Sequence, residues 1–550
     1  MEKIKQKLVE AVEKLFGVKT TVNVGVAPEN TGADYASNVA MQLAKLVHKS
    51  PMVIAEMIMG ELGEGDVEVA VAAPGFLNFT ISNGEILAKV RGYAEDLPTQ
   101  VRLGDYAEKT VIAEFSDPNP FKVLHVGHLY TSVVGDSISR LLELAGAQVV
   151  RANFGGDVGL HVGKTMWALL KEGYKPDNLT IEDIARCYVT GTQAYEEDVV
   201  AKAEITKLNK EIYQINAEDK RDNTLAQLYW RGRELSYEYF EGFYAQIGLK
   251  FDKYYPESQV AGRGLSEVRA HTGTVYEESD GAVVYKGEKV GLHTRVFINR
   301  EGVPTYEAKD VGLIFTKWDD YHFDESVVIT GNEQTEYMKV VLASVSEYAP
   351  QLVERTRHLT HGLVKLPGNV KMSSRKGNFL KAVDVLEMVR QMLGGNQADE
   401  KVLMAAIKYA FLKYKMGGDI VFDPQESVST TGNSGVYLLY SAVRAKKILQ
   451  KCGAVGEKYA AGEHEAEYEK NLCKKIVQYM DVLREAVKEK APYKVCTYLY
   501  ELAQEFSRFY EHVKVAGSEN EEELAMVVKA YSNVMENGLE LLGIEVPEEM

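Results

Sequence analysis

One stretch limits the fold more than any other, the run from Thr110 to Asp157. Val111-Ile-Ala-Glu-Phe115 reads as a strand. His128–Leu144 reads as a helix, with Leu129, Val133, Ile138, Leu141 and Leu142 on its apolar side. Gln148-Val-Val-Arg-Ala-Asn153 is a second strand, running into Gly155-Gly156-Asp157. A strand–helix–strand unit of this kind predicts a doubly wound parallel sheet, whose ligands sit beyond the carboxyl ends of the strands. Strand-like runs resume at Val283-Val-Tyr285, Thr294–Ile298 and Val327–Thr330. Between the two sets, residues from about 165 to 245 read as a charged helical insertion.

At 550 residues the chain is long enough for about three or four domains. Residues 1–105 predict a small α+β unit. Ile4, Leu8, Val12 and Leu15 keep helical spacing, and Val67–Ala73 and Phe76–Ile81 are strand-like runs split by Pro74-Gly75. Asp96–Gln100 reads as a linker. Residues 106–385 form the sheet domain with its insertion, and residues 386–550 are expected to be helical. The fold class is therefore α/β, a Rossmann-like doubly wound sheet domain flanked by a small α+β domain and an all-α domain.

The chain carries 80 acids against 63 bases, which argues against a general nucleic-acid coater. The charge is uneven, however. Ser427–Gly456 holds Arg444, Lys446, Lys447 and Lys451 and no acid, a basic helical face in an acidic chain. The four cysteines show no C-x-x-C spacing, so neither a zinc site nor a disulfide framework is expected. No apolar run approaches the ~20 residues of a membrane helix. The first residues carry acids and no signal-type apolar core, so the cytoplasm is expected.

Two motifs carry chemistry. Asn119-Pro-Phe-Lys-Val-Leu-His125-Val-Gly127-His128 lies between the first strand and its helix. Imidazoles three residues apart at a helix N-terminus face the same way, and the helix dipole there favours anions. Gly127 leaves room for a flat base against the backbone. The second motif is Lys371-Met-Ser-Ser-Arg-Lys-Gly377, with no acid from Leu363 through Leu380. Its cations suit a leaving pyrophosphate.

Together the two motifs resemble the HIGH and KMSKS signatures of class I aminoacyl-tRNA synthetases, and the surrounding sequence resembles the arginyl-tRNA synthetase family. Supporting residues are Glu114–Asn119, Lys122, Gly156-Asp157, Tyr306-Glu-Ala-Lys-Asp310, Gly331-Asn-Glu-Gln334 and the closing Leu541–Met550. The resemblance covers nearly the whole chain and is weakest in the insertion. It implies an arginine–tRNA ligase that uses MgATP as a substrate complex, with L-arginine and tRNA(Arg) as partners, no tightly bound protein metal, no membrane, and a monomeric state. It also implies that tRNA is needed for the first step.

The resemblance assigns ATP to His125, Gly127, His128, Lys371, Met372, Ser373 and Lys376. It assigns arginine to Glu114, Asp117, Pro118, Asn119, His128, Tyr306, Asp310 and Gln334. Tyr306 and Asp310, four apart on a helix, project to one side, and a carboxylate accepts two parallel bonds from a guanidinium. Asp117 stands where the family usually has a small residue. Ser374 replaces the second lysine of the signature, and relatives that lack this lysine carry one just before HIGH, so Lys122 is expected to compensate, with Lys371 and Lys376 as the other candidates. Lys122, His125 and His128 are the expected catalytic residues. Tyr437, Tyr440 and Arg444 on the basic helix are expected to meet tRNA, since unstacked bases are read by aromatic and guanidinium planes. Two rivals stand beside this reading, a small-molecule nucleotidyltransferase of the HIGH type and a non-catalytic RNA-binding paralogue.

Overall fold

The computed structural model describes residues 1–63, 67–368, 380–452 and 467–550. They cluster into two compact units. One comprises Met1–Val101 together with Ser441–Glu485 and Tyr498–Asn537. Its β part is a four-stranded antiparallel sheet, in which the runs Val67–Ala72 and Phe76–Ile81 pair directly. The N-terminal residues and the C-terminal helices share a core. Tyr35 donates its hydroxyl to Asp481 (2.7 Å), and Lys474 pairs with Asp34 at 2.7 Å. Asp96–Gln100, expected as a linker, is instead the end of a helix spanning Asn83–Gln100. The helical backbone breaks at Asp96, two residues before Pro98, so the last turn follows a kink and buries Leu97.

The second unit holds the parallel sheet. Its first strand is β1 (Thr110–Glu114), followed by α1 (Val126–Leu144) and β2 (Gln148–Gly155). Four helices then form the insertion: α2 (Leu160–Lys171), α3 (Ile181–Glu197), α4 (Val199–Ala217) and α5 (Thr224–Gln246). They have their own core of Val162, Met166, Leu169, Ile184, Ile212 and Leu228. The chain returns through β3 (Lys253–Pro256) to α6 (Glu257–Ala270). After a three-stranded antiparallel sheet (Glu277–Ser279, Ala282–Tyr285, Arg295–Ile298) come α7 (Tyr306–Tyr321), β4 (Glu325–Gly331) and β5 (Thr356–His361).

The five parallel strands lie in the order β5-β4-β1-β2-β3. β1 is thus where the winding reverses, with β2 on one side and β4 on the other. A crevice opens at the carboxyl end of such a strand. The expected one-sided helix after β1 is in fact buried all round. Besides the apolar residues, Thr131, Ser132, Asp136, Ser137 and Ser139 are covered, because helices Ala382–Met392 and Glu400–Leu412 pack against the side away from the sheet. Its hydroxyls bond to carbonyls, as buried hydroxyls must: Ser139 to Gly135, and Ser137 to Leu541. Gly135 is obligatory, since a Cβ there would lie 2.1 Å from the Phe115 ring.

Candidate active site

The loop after β1 is held in an unusual conformation by side-chain bonds. Ser116, Asp117 and Phe121 all have positive φ, which L-residues rarely adopt. Ser116 bonds to the Tyr244 hydroxyl (2.9 Å), and the Phe154 amide donates to the Asp117 carboxylate (2.7 Å). Asn119 Oδ1 accepts from the Gly156 amide at 2.8 Å. The tight approach explains both glycines that follow β2. A Cβ on Gly155 would lie 2.5 Å from the Pro118 carbonyl, and one on Gly156 would lie 2.6 Å from Asn119 Oδ1.

The loop delivers His125 to the N-cap of α1. His125 Nδ1 accepts from the Gly127 amide (3.1 Å), and His128 Nδ1 accepts from the His125 amide (3.1 Å). The rings stack with centroids 3.7 Å apart. An Nδ1 that accepts carries no proton, so each neutral ring holds its proton on Nε2. Burial and neighbouring Lys122 push His125 down to about 4, and burial with His125 pushes His128 well below the usual range. The pair is therefore two neutral N–H donors at the positive end of a helix. Gly127 also has a closer reason than room for a base: a Cβ would come 2.9 Å from the His125 ring.

One cavity of about 1030 Å³ gathers Glu114, Asp117, Asn119, His125, Gly127, His128, Tyr306, Asp310 and Gln334 at the carboxyl ends of the strands. At its acidic end Asp310 is nearly covered and accepts from the Tyr337 hydroxyl. Burial, then Glu114 and Glu257, raise its carboxyl well above the ordinary range. Asp117 is raised well above it too, by burial and then by Glu114. Glu114 is engaged: its carboxylate pairs with Lys317 at 2.6 Å, both buried, and Lys317 also donates to Ser326. A second buried pair, Glu257–Lys309 at 2.5 Å, stands beside it, with Lys309 also donating to Tyr213. The acidic end is thus built to receive a cation, with Asp310 and Asp117 left without a basic side chain of their own among the described contacts.

Other expected residues lie elsewhere. Pro118 and Lys122 do not line the cavity; the Lys122 ammonium sits 5.0 Å from the centre of the Tyr188 ring on α3. Lys371, Met372, Ser373 and Lys376 lie outside the described residues. Tyr437, Tyr440 and Arg444, at helical spacing on Gly435–Lys451, are not among the lining residues; Tyr440 is exposed and the Arg444 guanidinium lies over the Tyr510 ring. Sequence reasoning missed Glu257, Lys309, Lys317, Arg295, Tyr337 and His361. Only Lys309, inside the Tyr306–Asp310 motif, carried a local signal.

Comparison with known proteins agrees with this geometry. Residues 97–423 match the family described as tRNA synthetases class I (R), catalytic domain. The chain belongs to this family. Residues 2–81 match the arginyl tRNA synthetase N terminal domain, and residues 438–550 match the DALR anticodon binding domain. Curated relatives include an arginine–tRNA ligase of Parabacteroides distasonis, 27% identical and covering 99% of this chain and 98% of that one. One of Treponema denticola is 28% identical, covering 96% and 95%. Among solved structures, the Thermus thermophilus arginyl-tRNA synthetase superposes with a TM-score of 0.82 over the whole of both chains, at 24% identity. The Plasmodium falciparum arginyl-tRNA synthetase gives 0.83 at 20% identity, covering 100% of this chain and 99% of that one. The sheet domain, the N-terminal unit and the helical C-terminal part are those of this family.

Proposed function

We propose the following residue roles for this chain as an arginine–tRNA ligase, which activates L-arginine with ATP and transfers it to tRNA(Arg). Arginine lies with its guanidinium toward Asp310 and Tyr306 and its carboxylate toward α1. The carboxylate attacks the α-phosphate of MgATP in line, and magnesium pyrophosphate leaves. His125 and His128 donate from Nε2 to the phosphates, and the dipole of α1 adds to the same field. Because these donors are neutral and already aimed, they need no proton transfer and little reorganisation as charge moves to the leaving group. No side chain acts as nucleophile; positioning supplies the rest. The terminal ribose of tRNA then attacks the arginyl-adenylate through its 2′-hydroxyl, releasing AMP.

Lys122 is assigned the charge-stabilising role of the signature lysine replaced by Ser374, supported by its closeness to His125 and His128, whose basicity it depresses. Tyr437, Tyr440 and Arg444 are assigned to tRNA. No helix among the described residues is long and apolar enough to cross a membrane. A cytoplasmic monomer and Mg2+ carried in with ATP are part of this proposal, and the requirement for tRNA in the first step rests on the family resemblance.

The observation that carries this reading is the pairing, in one cavity, of a neutral two-imidazole donor site with a buried carboxylate site. The test is arginine-dependent pyrophosphate exchange in the presence of tRNA. His128→Ala should lower its rate about a hundredfold or more, as loss of one preorganised donor does. Equal rates for mutant and wild type would remove His128 from the phosphate site.

A further inference from the structure

His361 is the last residue of β5 and forms part of the cavity wall beside the histidine pair. Its Nδ1 lies 2.8 Å from the carbonyl oxygen of its neighbour Gly362. A carbonyl only accepts, so Nδ1 carries the proton. Burial disfavours a second proton, which leaves Nε2 bare. The Thr131 hydroxyl, 2.7 Å from Nε2, is therefore the donor. The same hydroxyl lies 2.8 Å from the Gly127 carbonyl, but it has one proton to give. The carbonyl and the bare ring nitrogen both accept, so the hydroxyl proton is shared between them and ties the ring to the first turn of α1. Tyr130 packs edge-on against the imidazole at 4.7 Å and fixes its plane.

Thr131 stands one helical turn beyond Gly127, so the bond joins the end of β5 to the opening of α1. The chain returns to the same place at Leu380. The Val126 amide donates to the Leu380 carbonyl (2.9 Å), and the Ala382 amide donates to the Leu124 carbonyl (3.0 Å). The residues that lead into and out of the cationic motif are thus both fastened to the His125–His128 turn. The exit is fastened by backbone alone. On the entry side, the His361 side chain makes a hydrogen bond to the same helix through Thr131.

We propose that His361 is a positioning residue for adenylate formation, tying the entry to the cationic motif to the helix turn that receives the triphosphate. This rests on the assignment of both motifs to ATP. His361 is not placed on the reacting atoms; it acts through Thr131 on the helix turn that carries His125 and His128.

The test uses the full chain, with pyrophosphate exchange driven by arginine and ATP in the presence of tRNA, for Thr131→Val, His361→Ala, their combination, and His361→Gln. One neutral hydrogen bond corresponds to a loss of about tenfold. Each of the first two variants should lose about tenfold in turnover and raise the ATP KM, with the arginine KM within about twofold of wild type. The combination should be no worse than the worse single variant, because both remove the same bond. His361→Gln, whose amide offers a donor to Gly362 and an acceptor to Thr131, should recover most of the loss. Multiplying losses in the combination, equal changes in both KM values, or no recovery by glutamine would overturn the proposal. If His361→Ala does not fold, Thr131→Val alone decides: wild-type turnover overturns the proposal, and a tenfold loss at an unchanged melting temperature supports it. A wild type without arginine-dependent exchange would overturn the ligase reading itself, and this inference with it.

Discussion

Arginine and lysine carry the same charge, so discrimination between them falls to the shape of the donor set. A guanidinium presents two parallel N–H groups, and a carboxylate accepts both. The proposed roles give that place to Asp310. The Tyr337 hydroxyl holds one of its oxygens and so fixes its plane, while each oxygen keeps a lone pair for the ligand. Removing the charge of a buried pair costs about 2–5 kcal/mol. Asp310→Asn should therefore raise the arginine KM or lower turnover by at least tens of fold and leave ATP binding nearly unchanged. Citrulline, which lacks the charge, should be a poor substrate of the wild type and lose far less on the same mutation. An Asp310→Asn enzyme with wild-type rates at subsaturating arginine would leave the guanidinium to Glu114. The raised carboxyls of Asp310 and Asp117 make a second prediction. Without arginine these groups hold protons at pH values where unfolded carboxyls have lost them. The free protein is therefore relatively most stable below the ordinary carboxylate range and loses that increment as pH rises through the raised values. Arginine favours the ionised forms, so its binding should release protons in this window and its affinity should rise with pH. Calorimetry in buffers of different ionisation enthalpy reads the proton count directly; uptake, or no exchange at all, would contradict the assignment.

At the scale of elements, a β-strand, a strained loop and a helix N-terminus turn a short motif into a donor site. This part was legible in the sequence, because His125, Gly127 and His128 shape one another locally through the cap and the ring stack. The acidic end was only half legible. Tyr306 and Asp310 share a helix, so their spacing announced them. The partners that neutralise the surrounding acids come from afar: Lys317 reaches Glu114 across 203 residues, and Lys309 reaches Glu257 across 52. No local pattern announces such pairs, since each lysine reads as an ordinary helix residue until the sheet brings the strands together. The same holds for His361 and Thr131, 230 residues apart. The insertion was visible only as a charged helical stretch, and its contact with Lys122 was not. With its ammonium over the Tyr188 ring of α3, Lys122 is held next to the two histidines by an element outside the sheet. Lys122→Ala should depress adenylate formation while leaving tRNA affinity near normal, and adding Ser374→Lys should restore part of the loss. A Lys122→Ala variant that only binds tRNA more weakly would end the compensation idea.

For the molecule as a whole, Met1–Val101 joins the helical segments Ser441–Glu485 and Tyr498–Asn537 in one compact unit, and the sheet domain belongs to another. The sheet domain alone would suffice for a small-molecule nucleotidyltransferase. The match of residues 2–81 and 438–550 to the N-terminal and anticodon-binding domains goes beyond what such an enzyme needs. The replacement of the signature lysine by Ser374 is the single feature that favours a chain binding tRNA without charging it, and the intact histidine pair and acidic pocket oppose it. These alternatives part company in one assay: aminoacylation of total tRNA by the full chain with MgATP, run separately with each of the twenty amino acids. Arginine alone should be esterified to tRNA, and the other nineteen, lysine included, should stay at background. Charging by any other amino acid, or none by arginine while tRNA still binds, would contradict the ligase reading.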